Sequence, residues 1–313
     1  MLDGPHFLRD SPGMADDQLS EVFDVVEVRG QLSGAFAMRG PWIAKGSIST
    51  PLKFMVMVRG RARLLTDGLD EPIDLGPGDV VILNNRSWLE TSGGTGDGPP
   101  RELVVEANHL VDTDEECDFG VGGHVDLNDA GRALLLPALP PVAVVRAPAT
   151  RVRDTIDRLV DEVTGDRPGS AFAIRQYGQL LILEVLRAYI GQADLPPSWL
   201  KLLTDERLRP AVTAVHADPG RTWRLDDLAR VAAMSRTSFA ERFRDVAGVP
   251  PLAYLNRWRM LLARRALRHG DARVGALAAE LGYASESAFS TAFKREVGES
   301  PLRYRSRIAR QAE

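Results

Sequence analysis

Cysteine is almost missing from this sequence: Cys117 stands alone among 313 residues. One thiol excludes an internal disulfide and leaves no thiolate cluster for a structural metal. Long apolar runs are missing too, and no stretch approaches the roughly 18 uninterrupted residues of a membrane helix. The opening Met1-Leu2-Asp3-Gly4-Pro5-His6 lacks the basic start and apolar run of a secretory signal. The expectation is a cytoplasmic protein with no membrane partner.

What is present is a globular composition, 44% hydrophobic and 26% charged, in a chain long enough for two or three domains. The net charge of −4 hides an asymmetry. Residues 207–313 hold 20 Lys+Arg against 11 Asp+Glu, a net of +9, and residues 1–206 carry −13. A basic end on an acidic body suits a polyanion partner, although ordinary variation in surface charge looks the same.

Residues 1–20, rich in Asp, Gly and Pro, read as a flexible leader. Over 21–148, short β-rich runs such as Val25-Val26-Glu27-Val28, Phe54 to Val58, Ala62 to Leu65, Val80 to Leu83 and Leu103 to Val105 alternate with turns. Arg59-Gly60, Asp67-Gly68 and Gly76-Pro77-Gly78-Asp79 supply those turns. Many short strands predict a small barrel or sandwich. Over 149–204 the period becomes helical: Val152, Ile156, Leu159, Val160 and Val163 form one stripe, and a second helix near 171–190 is apolar around most of its circumference. Such a helix needs burial on several sides, either against a second copy of the chain or against its own barrel. Asp194-Leu195-Pro196-Pro197-Ser198 reads as a hinge, and residues 205–313 read as all helix.

The strongest signal is internal repetition. Leu228-Ala229 recurs as Leu277-Ala278. Ser235, Phe239, Phe243, Gly248, Pro251, Leu252 and Tyr254 recur, one residue further on, as Ser285, Phe289, Phe293, Gly298, Pro301, Leu302 and Tyr304. Each copy reads as helix, tight turn, helix. Ser235 and Ser285 are placed to cap the second helix. Phe239, Phe243 and Val246, then Phe289, Phe293 and Val297, anchor it. Arg236, Thr237, Ala240, Glu241 and Arg244 point outward from the first copy; Glu286, Ser287, Ser290, Thr291 and Lys294 do so from the second. A helix about 27 Å long, near 251–268, joins the copies. Two recognition helices at that separation suit successive major grooves of double-stranded DNA; helix pairs that serve packing alone are the bland alternative.

Residues 223–305 resemble the C-terminal domain of the AraC/XylS transcription regulators. The match lies in Leu228-Ala229, Met234-Ser235, Phe239, Arg242-Phe243, Gly248, Pro251, Tyr254-Leu255, Trp258-Arg259-Met260, Gly282-Tyr283, Phe293-Lys294, Ser300-Pro301 and Tyr304-Arg305. The resemblance implies base-edge contacts from Arg236, Thr237, Ala240, Glu241, Glu286, Ser287, Ser290 and Thr291. It implies phosphate contacts from Arg242, Arg244, Lys294, Arg295 and the Arg303-Arg305-Arg307 tail. It also implies activation through contact with RNA polymerase, with repression as the runner-up, while the apolar helical segment suggests a homodimer.

The N-terminal part resembles a cupin-type sensor, through Pro51 to Gly60, Leu75 to Val80 and Leu139-Pro140-Pro141. Metal-binding cupins carry histidines where this chain has Lys53-Phe54-Met55 and Asn84 to Leu89, and His109 and His124 lie apart from both. The expectation is therefore no metal, no cofactor and no catalysis. A small effector would sit in the barrel, with Trp42, Phe54, Met55, Met57 and Trp88 as lining candidates. The fold class is α+β: a cupin-like barrel, a helical linker or dimerisation segment, and an all-α domain of two helix-turn-helix units. A metal cupin with a DNA-binding tail and a protein-binding scaffold are the competing classes.

Overall fold

The computed structural model describes residues 18–26, 28–104, 109–110, 117–146, 150–165, 167–192, 195–269 and 272–312. They form two units: residues 27–194, and residues up to Val26 together with 195–313.

The helix α1 (Gln18–Val25) belongs to the second of these units. Residues 1–17 of the expected leader lie outside the described residues; residues 18–20 are helical rather than loose. Val25, expected as strand, ends this helix instead, and Val26 forms a bend after it. Val22, Val25 and Val26 are buried together at helical spacing, and Gln18 donates to Thr213 Oγ1 at 2.9 Å.

The first unit holds the strands β1 (Val28–Met38), β2 (Trp42–Ser47), β3 (Leu52–Arg59), β4 (Ala62–Thr66), β5 (Ile73–Leu75), β6 (Val80–Asn84), β7 (Trp88–Gly93), β8 (Arg101–Val104), β9 (His109–Leu110), β10 (Asp118–Leu127) and β11 (Val142–Val145). A six-stranded sheet runs β11-β6-β3-β10-β1-β9 and a five-stranded sheet β5-β4-β7-β2-β8. Between them Met38, Trp42, Ala44, Met57, Leu64, Leu75, Val81 and Leu83 make the core.

Side chains alternate along a strand, so Phe54, Val56, Val80, Ile82, Val121 and Val145 bury on the opposite face of the six-stranded sheet. After α2 (Asp129–Leu135) come α3 (Thr150–Thr164) and α4 (Ser170–Gln192), which pack on each other, and α4 also packs on β1 and β11. The approach is close: a Cβ on Gly30 would stand 2.5 Å from the Gly178 carbonyl oxygen of α4. These two helices therefore belong to the barrel's unit rather than to a separate segment. Leu181, Ile182, Val185 and Leu186 of α4 are buried, but Phe172 is 62% and Leu180 41% exposed.

The second unit contains α5 (Trp199–Thr204), α6 (Arg209–Ala217), α7 (Leu225–Val231), α8 (Arg236–Ala247), α9 (Pro251–His269), α10 (Val274–Glu280), α11 (Glu286–Val297) and α12 (Pro301–Ala312). It starts at Leu195, earlier than the 204/205 boundary expected. The reason is α5, whose Trp199, Leu200 and Leu202 are buried and which packs on α8.

Candidate nucleic-acid interface

The repeat in the sequence is a repeat in space. Ser235 Oγ accepts from Ser238 N at 3.2 Å, and Ser285 Oγ from Ala288 N at 3.1 Å, so each serine satisfies an orphan donor of its helix. Each helix ends on a left-handed glycine, Gly248 at φ 72° and Gly298 at φ 90°, where a Cβ would be penalised. Beneath them lie equivalent aromatic ladders. Phe239–Phe243–Tyr254 have ring centroids 5.7 and 5.6 Å apart, and Phe289–Phe293–Tyr304 are 5.8 and 5.6 Å apart. All four phenylalanines are buried. Val246 and Val297, expected as further anchors, are only half-buried.

With the aromatic side pinned, the opposite side of each helix is open. Arg236, Thr237 and Glu241 of α8 are exposed and Ala240 is half-buried. On α11, Glu286, Ser287 and Thr291 are exposed and Ser290 is half-buried. Arg236 Nε is 3.7 Å from Asp226 Oδ1, both well exposed, a pairing worth little in water. Arg244, Lys294, Arg295 and Arg303 are exposed beside these faces.

Two of the expected phosphate contacts already have partners within the protein. Arg242, its side chain 40% exposed, is paired with Asp205: Nη2 lies 2.8 Å from Oδ2 and Nε 3.2 Å from Oδ1. The same carboxylate accepts from the backbone of Arg207 and Leu208, so it ties down the turn that leads into α6 as well as holding α8. Arg305 donates to the Ala272 carbonyl and its Nε is buried. Arg307 of the tail is likewise tied, to Glu299 at 2.9 Å. Helical phase explains the difference from Arg244 and Arg303: arginines two residues apart on one helix point in different directions.

The sequence reading also passed over Arg259, on the buried side of α9. Its Nε donates to the Pro219 carbonyl at 2.7 Å and its Nη2 to that of Arg221 at 3.0 Å. Its guanidinium also lies 5.6 Å from the Tyr283 ring centre. Burial pushes the Tyr283 phenol above its ordinary value and Arg259 pulls partly back. A signal existed: Arg259 falls four residues after buried Leu255 and next to buried Trp258 and Met260, on the apolar stripe.

The proposed lining of the barrel does not assemble on one wall. Trp42, Met55 and Met57 face the space between the sheets, with Trp42 Nε1 donating to Asp118 Oδ2 at 2.8 Å. Phe54 faces the opposite side by strand alternation, and Trp88, the first residue of β7, is 37% exposed. Phe36, Ile48, Ile73, Val142 and Val144 join Met55 as inward-facing but incompletely buried side chains. Among the described residues no three His, Cys, Asp or Glu side chains gather as a metal site, and no helix is long and apolar enough to cross a membrane. His124 Nδ1 is 2.9 Å from Ser33 Oγ, and its Nε2 3.8 Å from Asp126.

Residues 17–191 match the family described as Cupin, and residues 228–307 the family described as Helix-turn-helix domain. The chain is 35% identical to an AraC-like transcription regulator of Streptomyces lividans, over 92% of this chain and 98% of that protein. It is 32% identical to the HTH-type transcriptional regulator AlkR of Acinetobacter baylyi, over 92% of this chain and 99% of the relative. It is 30% identical to the RCS-specific HTH-type transcriptional activator RclR of Escherichia coli, over 83% and 86%.

Proposed function

The chain belongs to the AraC-like family of DNA-binding transcription regulators, proteins that are not enzymes, and from that premise we propose how it reads DNA. The N-terminal ends of α8 and α11 enter successive major grooves. Arg236, Thr237, Ala240 and Glu241 read base edges in one groove; Glu286, Ser287, Ser290 and Thr291 read the other. Arg244, Lys294, Arg295 and Arg303 hold phosphates and fix register rather than sequence. The observation that carries this reading is the pair of equivalent helices, each with its aromatic side buried and its polar side open.

The regulator works in the cytoplasm as a homodimer through the apolar outer side of α4. A small, largely apolar effector lodges between the sheets beside Met55, Val142 and Val144. Binding shifts the population of DNA-competent molecules only as far as the effector prefers one state. Activation through contact with RNA polymerase is the output, in keeping with the activator among the relatives.

Gel retardation of a promoter fragment from beside the gene tests the core of this. Log affinity should fall linearly with log salt, by about 0.9 per phosphate held. Lys294→Ala should weaken all sequences alike and flatten that slope by about one contact. Thr237→Ala and Ser287→Ala should instead relax particular base pairs. Retardation indifferent to salt, or a uniform loss from Thr237→Ala or Ser287→Ala, contradicts the assignment.

A further inference from the structure

Joining two rigid bodies by one helix fixes their separation better than their twist. The rod α9 has 19 residues and so is about 28 Å long, but a single axis leaves rotation about its ends. A second contact, off that axis, closes this freedom. A Cβ on Gly282, in the turn between α10 and α11, would stand 2.1 Å from the Gly220 carbonyl oxygen. A Cβ on Gly220, in the loop between α6 and α7, would stand 2.3 Å from that of Glu280. The loop leading into the first helix-turn-helix unit and the turn of the second therefore touch backbone to backbone.

Arg259 sits at that contact, projecting from the rod. It is 8% exposed. Its fork grips the Pro219 and Arg221 carbonyls on one side, while Nη2 stands 2.9 Å from where a Gly282 Cβ would be and the guanidinium faces the Tyr283 ring on the other. The gripped loop is itself stiffened, because Trp223 Nε1 donates to the Asp218 carbonyl at 2.9 Å and Arg221 stacks on the Trp223 ring at 4.2 Å.

We propose that Arg259 is a positioning residue that sets the twist between the two recognition helices, and hence the spacing of the two half-sites the protein accepts on DNA. The proposal rests on α8 and α11 being the reading helices. One base pair of added spacing turns the second half-site by about 34° around the duplex, so a locked pair of helices rejects it and a loosened pair does not. Lysine keeps the charge but lacks the planar fork that holds two carbonyls at once.

The test selects binding sites from a random-sequence duplex pool with full-length wild type and Arg259→Lys in parallel. Wild type should return two motifs at one separation. The variant should keep both motifs but spread their separation over neighbouring spacings, and lose about tenfold in affinity at the wild-type spacing, the worth of one charged hydrogen bond. A variant that melts like wild type and keeps a single separation overturns the proposal. A wild-type selection with no paired motif overturns the recognition-helix reading itself, a different outcome. If Arg259→Lys does not fold, the distance between spin labels at Asp245→Cys and Glu296→Cys, with Arg259 intact and no DNA, decides. One narrow distance supports the lock and a broad distribution refutes it.

Discussion

The turn before each recognition helix offers a paired experiment, because the two copies solve one backbone problem with different residues. In the first, Ala233 N donates to the Arg230 carbonyl and Met234 N to that of Ala229; in the second, Gly282 N and Tyr283 N repeat the pattern to Ala279 and Ala278. This double bond requires a left-handed residue after the helix. Glycine supplies it at Gly282, φ 76°, but Ala233 is forced to φ 51°. An L-residue there costs about 1–2 kcal/mol, and glycine costs about 0.5–1 kcal/mol of backbone entropy on folding. Ala233→Gly should therefore stabilise the unit by about 0.5–1 kcal/mol, or about 2–5 °C for a unit of this size. Gly282→Ala should do the reverse, and by more. It adds the same strain and also drives a Cβ to 2.1 Å from the Gly220 oxygen, for a loss of at least about 3 kcal/mol. Hydrogen exchange of the peptides covering 225–250 and 274–298 in the full chain reads each local stability separately. A neutral or destabilising Ala233→Gly, or a tolerated Gly282→Ala, refutes the reasoning.

Three other outcomes are expected. Asp205→Ala removes the acceptor of two side-chain and two backbone donors and should cost about 2–3 kcal/mol. Arg242→Met should cost less, and a double-mutant cycle by urea unfolding should show strong coupling between the two. The Tyr283 phenol, raised by burial, keeps its proton in the folded state at pH values where the unfolded chain has lost it. Stability should then be unaffected below the ordinary phenol value and fall above it, a slope that Tyr283→Phe reduces. Trp42→Phe gives up the hydrogen bond to Asp118 and should cost about 1–2 kcal/mol by thermal melting without altering DNA affinity.

Local chemistry made much of this architecture legible, and long-range partners made the rest illegible. Serine caps, glycine ends and the phenylalanine spacing are properties of a few neighbouring residues, so both helix-turn-helix units could be read from them. The strand run Phe54-Met55-Val56-Met57 was equally readable as a strand. Its alternation places Phe54 opposite Met55 and Met57, so the three do not line one pocket. Arg242 and Arg305 are different, because nothing near them in sequence announces Asp205 or the Ala272 carbonyl. The helix α1 escaped because Val22, Val25 and Val26 make a stripe too short to distinguish from a strand, and their neighbours in α9 lie far along the chain.

The outer side of α4 remains to be accounted for. Its inner side is occupied by the chain's own sheet, which answers part of the sequence-level choice between self-packing and dimerisation, but Phe172 and Leu180 stay in water. They are eight residues apart, about 12 Å along the helix and about 80° around it, so one broad side of the helix carries both. Burying a side chain of this size is worth about 1.5–3 kcal/mol, and a two-fold interface uses each residue twice. Phe172→Glu with Leu180→Glu should therefore weaken association by at least about 6 kcal/mol, turning a micromolar dimer into a monomer at any practical concentration. Both positions are exposed, so the monomer should keep its melting temperature, and sedimentation equilibrium separates loss of pairing from loss of fold. Affinity for the site of a single protomer should survive while affinity for two adjacent sites drops, because linked modules owe their second contact to effective concentration rather than to new bonds. A double variant that sediments like wild type would show that this side of α4 does not pair the chains.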